Sequence, residues 1–218
     1  RQRGDGATAF ALGRSRFEAL VALEVGSVWT ATALAAWADT RIEEELRRAP
    51  AADAAPTLAP DALASGRALV EDAYALVGQR NLVSVPPGPP LQVRETPPHL
   101  RYNMAWFSSS GPFAAEPRAH FYVTLPASPA EALPWATLAA LTAHEAIPGH
   151  HLQALHLRRA PTRVQRTVTS LTFLEGWGHY AETLMADHGY GGAQVDAVRA
   201  AVHRRSLLCA CRARAAVA

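Results

Sequence analysis

The apolar positions of this chain recur mostly at three- and four-residue steps, the spacing that lines one face of an α-helix. Phe17, Leu20, Val21, Leu23 and Val28 are spaced this way, as are Leu34, Trp37, Ile42 and Leu46. Residues 10–48 therefore predict helix, with Gly26 separating two segments. Glu43, Glu44 and Glu45 beside Arg47 and Arg48 predict a solvated helix face. The first nine residues are small and polar and are expected to fray. Pro50, Pro56 and Pro60 among alanines make residues 50–62 a linker. A further helix is predicted over residues 61–78, with Leu63, Leu69, Val70, Ala73, Leu76 and Val77 on its buried face.

Six prolines between positions 86 and 98 then break the helical period and leave Leu91-Gln92-Val93-Arg94-Glu95 extended. Tyr102-Asn103-Met104-Ala105-Trp106-Phe107 and His120-Phe121-Tyr122-Val123-Thr124-Leu125 are aromatic and β-branched, with a Ser-Gly-Pro turn between them. They predict a small sheet or hairpin. Ser128-Pro129-Ala130-Glu131 has the form of a capped helix start. The helix from about Trp135 carries Leu138, Leu141 and Thr142 and must be disturbed at Pro148-Gly149. Further helices are predicted over residues 163–187 and from about 193 to the end. The fold class is mainly α with a small β element. Residues 1–60 are expected to form a helical N-terminal segment, part of a larger region, and residues 61–218 a second domain.

Composition narrows the function classes. A chain of 218 residues that is 49% hydrophobic is globular and long enough for one or two domains. The net charge is only +2, and all 21 basic residues are Arg, a coding bias of a GC-rich genome. No basic run with interleaved aromatics is present, which argues against nucleic acid as a partner. No apolar run approaches the ~20 residues that cross a bilayer. Cys209 and Cys211 lie too close together for a disulfide framework and read as residues of the last helix. The opening Arg-Gln-Arg-Gly lacks an initiator Met and a signal-peptide core, as expected of an internal piece of a longer protein, and the compartment is not legible.

The chemistry concentrates in His144-Glu145-Ala146-Ile147-Pro148-Gly149-His150-His151-Leu152-Gln153. Neutral imidazoles bind zinc, and a neighbouring glutamate can take a proton from an activated water. In the common H-E-x-x-H arrangement the two histidines share a helix face. Here the fourth residue after His144 is Pro148, which cannot bind metal. His150 lies about 240° around an ideal helix from His144, and His151 lies ~10.5 Å further along its axis. A bulge or tightened helix end at Pro148-Gly149 is needed, and it favours His150 over His151 as second ligand without excluding the latter. A third ligand is available in Glu175, His179 and Glu182, which fall at i, i+4 and i+7 on one helix face. One carboxylate would complete a His2Glu site with an open position, and Glu182 could instead orient a ligand. The alternative is a solvated acidic face, against which Trp177 and Tyr180 stand. His99, His120, His156, His188 and His203 read as ordinary surface or hydrogen-bonded residues.

His144-Glu145-Ala146-x-Pro148-Gly149-His150-His151-x-Gln153, followed by Glu175-Gly176-Trp177-x-x-Tyr180-x-Glu182, resembles the bacterial family DUF885, grouped with the gluzincin-like metallopeptidases. The likeness extends through Val93-x-Glu95-Thr96-Pro97 and Phe121-Tyr122-Val123-Thr124, and is best over residues 60–215. It implies a mostly helical, zincin-like zinc peptidase, often exported or lipid-anchored. Carried over by residue, it implies His144, His150 and Glu175 as zinc ligands and Glu145 as general base. His151, His179 and Glu182 would support the ligands. Tyr180, or less readily His179, would stabilise the oxyanion. Tyr122-Val123-Thr124 would form an edge strand that aligns a peptide substrate. Members of the family are usually far longer, with more chain before this region and a continuation carrying an Asp and a His. The expected function is a metallopeptidase in which Glu145 deprotonates a zinc-activated water. The alternatives are a metal-dependent hydrolase of non-peptide amides or esters, and a non-catalytic remnant with a structural or empty metal site.

Overall fold

The computed structural model describes residues 12–26, 29–48, 57–128 and 131–217, and within these the chain is mainly helical with one small sheet. The fraying expected of the first nine residues and most of the proline-rich linker lie outside the described residues. The chain divides into two compact units, residues 1–49 with 204–218, and residues 50–203.

In the smaller unit, α1 (Arg14–Val25) ends at Gly26, whose φ of 85° suits glycine, and α2 (Ala31–Arg48) follows. The glutamates of α2 are not uniformly solvated. Glu45 is fully buried, 2.6 Å from Arg41 and accepting a hydrogen bond from Ser206 Oγ at 3.0 Å. Pairing of this kind is what lets a carboxylate be buried at all. The expected division at residue 60 does not anticipate this grouping of the last residues with the first.

In the larger unit, α3 (Ala62–Arg80) begins where Asp61 accepts hydrogen bonds from Leu63 N and Ala64 N, and ends at Asn81 in the left-handed region. Ala62, Gly66, Leu69, Val70, Ala73 and Val77 are its buried residues, with Leu63 and Leu76 packed more loosely. The sheet contains β1 (Leu91–Glu95), β2 (Ala105–Ser109) and β3 (Ala119–Val123) in the order β1-β3-β2. β3 pairs in parallel with β1 and antiparallel with β2. Its alternation sends Ala119, Phe121 and Val123 into the core and leaves Tyr122 on the other face, stacked on Trp106 at 4.3 Å.

Helix α4 (Trp135–Glu145) is apolar on every side, and Ala136 through His144 are nearly all buried. Such a helix must be central. It packs against α3, β2, α5 (His150–Leu157) and α7 (Leu171–Asp187). The Ser128 start lies partly outside the described residues. Ser128 Oγ does bond the Glu131 carboxylate, but regular helix begins only at Trp135. The block predicted over residues 163–187 is broken. A short α6 (Arg163–Thr167), closed by a Thr162–Gln165 capping box, is separated from α7 by an extended Val168 and a Ser170 N-cap. The last helix, α8, covers Val195–Ala216. Among the described residues no helix is long and apolar enough to cross a membrane.

His151 belongs to this framework. It is buried, its Nδ1 lies 3.1 Å from Tyr74 Oη of α3, and its ring packs 5.7 Å from Phe107 of β2. Burial lowers its pKa from 6.5 to about 4, against a small upward pull from the Pro89 carbonyl. The folded chain thus binds this proton less readily than the unfolded chain, so protonation favours unfolding. The stability at stake is intact above pH 6.5 and is lost as pH falls towards 4. The loss expected from this group is on the order of 3 kcal/mol. Urea denaturation between pH 7 and 4 should therefore show a shallower acid-side decline for His151→Gln than for wild type. Parallel profiles would assign the acid sensitivity to other groups.

Candidate metal centre

α4 ends at Glu145, and residues 146–149 turn the chain before α5 starts at His150. Ala146 N still bonds Thr142 O, and His151 N reaches back to Ala146 O. The Ile147–Pro148 peptide is cis. At Gly149 the backbone approaches so closely that a Cβ would stand 1.7 Å from the His144 carbonyl oxygen, so only glycine fits. This turn folds α5 back on α4. His150, six positions after His144, comes to 4.7 Å from it between ring centres, with the rings almost perpendicular. The disturbance expected at Pro148-Gly149 is thus a full break between two helices. Trp177 Nε1 of α7 donates to Pro148 O at 2.7 Å and pins the turn.

The hydrogen bonds define which imidazole nitrogens remain available. His144 Nδ1 lies 2.6 Å from Oε1 of Glu182, which is only 1% exposed. A carboxylate accepts, so the proton sits on Nδ1 and the Nε2 lone pair is left open. His150 Nδ1 lies 2.7 Å from Gln153 Oε1, whose amide nitrogen donates to Leu174 O, and the same reasoning frees His150 Nε2. Both open nitrogens face Glu175, at 3.5 Å from His144 and 3.8 Å from His150. Ligand atoms of His144, His150 and Glu175 all lie within 4.8 Å of one another. Burial pushes the His150 pKa down more than its contacts raise it, which keeps the imidazole neutral. This set of two nitrogens and one carboxylate suits zinc.

His144, His179 and Glu182 also lie within 4.8 Å of one another. That second set already contains the short His144–Glu182 hydrogen bond and a 3.2 Å His179–Glu182 contact. It is better described as the support that orients His144. Glu145 lines the same cavity as His150 and Glu175, and Phe107 N donates to its Oε2 at 2.9 Å. The centre opens onto a cavity of about 980 Å³, lined by Glu145, His150 and Glu175 and by largely apolar walls that include Trp106, Val168 and Phe173.

Three expected roles do not match the geometry. Tyr122-Val123-Thr124 is not an edge, because β3 is the middle strand and both sides of its backbone are used. The bond from Thr124 N to Met104 O extends this pairing. Tyr180 is half exposed, rests against Trp177 and does not line the cavity. It follows Glu175 by five positions, about 140° away around α7. His151 points to Tyr74 and makes no contact with the ligand set. Sequence reading missed Gln153 as the partner of His150, although i, i+3 spacing on one helix signals it. It also missed the Phe107 amide, which no local pattern encodes, and Gly178. A Cβ at Gly178 would lie 2.5–2.8 Å from three atoms of the His144 ring.

Gly178→Ala should therefore displace His144 and weaken zinc binding about 10- to 100-fold, the usual effect of losing a ligand's support. Gly176→Ala, where a Cβ meets nothing within 4 Å, should leave the affinity of the site for zinc unchanged. Titration with a chromophoric chelator distinguishes the two, and equal affinities would show that the ring has room to move.

The geometry can be set beside known proteins. No curated protein matches the chain at a significant level. A solved structure described as "the putative lipoprotein from Colwellia psychrerythraea" is similar to it, with a TM-score of 0.62 and 17% sequence identity. The likeness covers 92% of this chain and 33% of that one, so the chain spans about a third of this structural relative. At that identity the fold alone is shared. The family model described as "Bacterial protein of unknown function (DUF885)" matches residues 3–214. With almost its whole length matched, and with the paired motifs gathered on α4, α5 and α7, the chain belongs to the DUF885 family of bacterial proteins.

Proposed function

We propose that this chain carries the active site of a zinc-dependent hydrolase, a metallopeptidase. One observation carries the reading: two imidazole Nε2 atoms and a carboxylate converge, and a second glutamate, Glu145, lines the same roomy cavity. A structural site would need no such base. Zinc held by His144, His150 and Glu175 would supply Lewis-acid activation of water and of a carbonyl group.

The chain's own residues supply the rest. Glu145 takes the proton of the attacking water and can return it to the leaving amine. The Phe107 amide fixes one oxygen of that carboxylate. Glu182 and Gln153 hold the two imidazoles in the tautomer that presents Nε2. A peptide in extended form finds its free sheet edge on β2 rather than β3. Bonds from Ser110 N to Arg118 O and from Thr124 N to Met104 O turn the even-numbered residues of β2 towards β3. The backbone groups of Ala105, Phe107 and Ser109 therefore face outward, and Phe107 and Ser109 line the cavity. Strand addition there would bring a substrate past Glu145.

Elemental analysis of the purified full-length protein should find about one zinc per chain. Zinc should be lost in His150→Ala and Glu175→Ala and kept in His151→Gln. Glu145→Gln should keep zinc and lower peptide hydrolysis roughly 10²- to 10⁴-fold, the range for losing a general base. Wild-type protein without zinc, or Glu145→Gln with unchanged turnover, would refute the reading.

A further inference from the structure

The walls of the cavity beside the metal centre are chemically one-sided. Among the described residues that line it, Glu145 and Glu175 are the only carboxylates, and none of the chain's arginines is present. The large apolar side chains in the walls adjoin the centre along the chain. Trp106 precedes Phe107, whose amide holds Glu145. Leu152 follows His150 in the first turn of α5, and Phe173 and Leu174 precede Glu175 in α7. β2, α5 and α7 each bring apolar bulk to the cavity along with the group they bring to the centre.

Two of these wall residues have no folding role that explains them. Val168 and Phe173 are 72% and 67% exposed. Side chains so exposed bury little area and add little to stability. The backbone that carries them is nevertheless fixed. A Thr162–Gln165 capping box closes α6, Val168 N donates to Val164 O, and Phe173 N donates to Ser170 Oγ at 3.1 Å. Exposed apolar residues are ordinary when scattered. These two line one cavity with Trp106 and Leu174, and a ligand there would remove their apolar area from water.

The cavity's volume, about 980 Å³, is at the upper end for small-molecule sites, so size alone excludes no side chain. Chemistry does exclude some. An acidic side chain would enter a space whose protein-borne charges are both negative, and it would lose water without gaining a partner. A basic one would be desolvated against apolar walls while the two carboxylates serve the centre.

We propose that this cavity selects peptides with a bulky hydrophobic residue, of the Phe or Leu type, beside the bond cleaved, and that Val168 and Phe173 set the selectivity. The inference rests on the hydrolase reading of the metal centre.

Blocked alanine peptides in which one residue at a time is Phe, Leu, Gln or Glu test this with the zinc-loaded full-length protein. Mass spectrometry locates the cleaved bond. Phe or Leu beside that bond should raise kcat/KM about 10- to 100-fold over Ala, within the range that apolar pockets discriminate. Gln should stay near Ala, and Glu should fall below it. Val168→Ser/Phe173→Ser should cut the Phe advantage about tenfold and keep the zinc content of wild type, since both side chains are largely exposed. Val164→Ser/Leu171→Ser removes equally exposed side chains that do not line the cavity, and should keep the preference. Equal kcat/KM for the Phe, Ala and Glu peptides overturns the proposal. So does a preference confined to positions away from the cleaved bond, or a Phe advantage undiminished in Val168→Ser/Phe173→Ser. If no peptide is cleaved, the hydrolase reading fails, and fluorescence anisotropy of the same peptides, identically labelled, decides about the cavity. Tighter binding of the Phe peptide that depends on Val168 and Phe173 supports the apolar subsite. Equal binding of the Phe and Ala peptides, or binding indifferent to both residues, overturns it.

Discussion

The candidate centre depends on the turn between α4 and α5. On a continuous helix the imidazoles of His144 and His150 would diverge, since six residues carry the second about 240° around the axis. Residues 146–149 end one helix and begin another at once, and the two rings meet at 4.7 Å. The contact is steric before it is chemical, because Gly149 lies against the His144 carbonyl with no space for a side chain. The indole of Trp177 holds the turn to α7, so the same junction that brings the histidines together also fixes the helix carrying Glu175 and Glu182.

Around that junction each polar group is oriented by a neighbour. Glu182 of α7 sets His144 of α4, Gln153 sets His150 within α5, and the Phe107 amide of β2 sets Glu145. A buried imidazole or carboxylate without such a partner would carry a desolvation penalty. The partners that offset that penalty also choose the tautomers and leave two lone pairs directed at one space. Gly178 completes the arrangement by omission, since the His144 ring occupies the volume that a side chain there would need.

The sheet contributes position more than bulk. β3, with both neighbours in place, is the strand that buries Phe121 and Val123 against α3. β2, with one neighbour, is left to face the cavity, and its outward Phe107 amide binds Glu145. Strand order therefore separates the part that stabilises from the part that faces ligands.

Much of this was legible in the residues alone. Helical periodicity located α2, α3 and α4, proline spacing isolated β1, and the histidine–glutamate string with Glu175 and Glu182 named the groups that converge. Such features are local: they depend on residue type, on period and on the dihedral limits of proline and glycine. Strand order was not local, and the aromatic, β-branched sequence of Tyr122-Val123-Thr124 looks the same in a middle strand as at an edge. The break of residues 163–187 into α6 and α7 turned on a serine cap competing with helix propagation, a contest of small energies. Only the tertiary structure decided between His150 and His151, turning the first to Glu175 and the second to Tyr74. It also recruited a backbone amide from β2 for Glu145. The sequence by itself determined which chemical groups are present and on which helices they ride. Which of them face one another depends on how separate elements pack, and no short-range pattern in a chain encodes that.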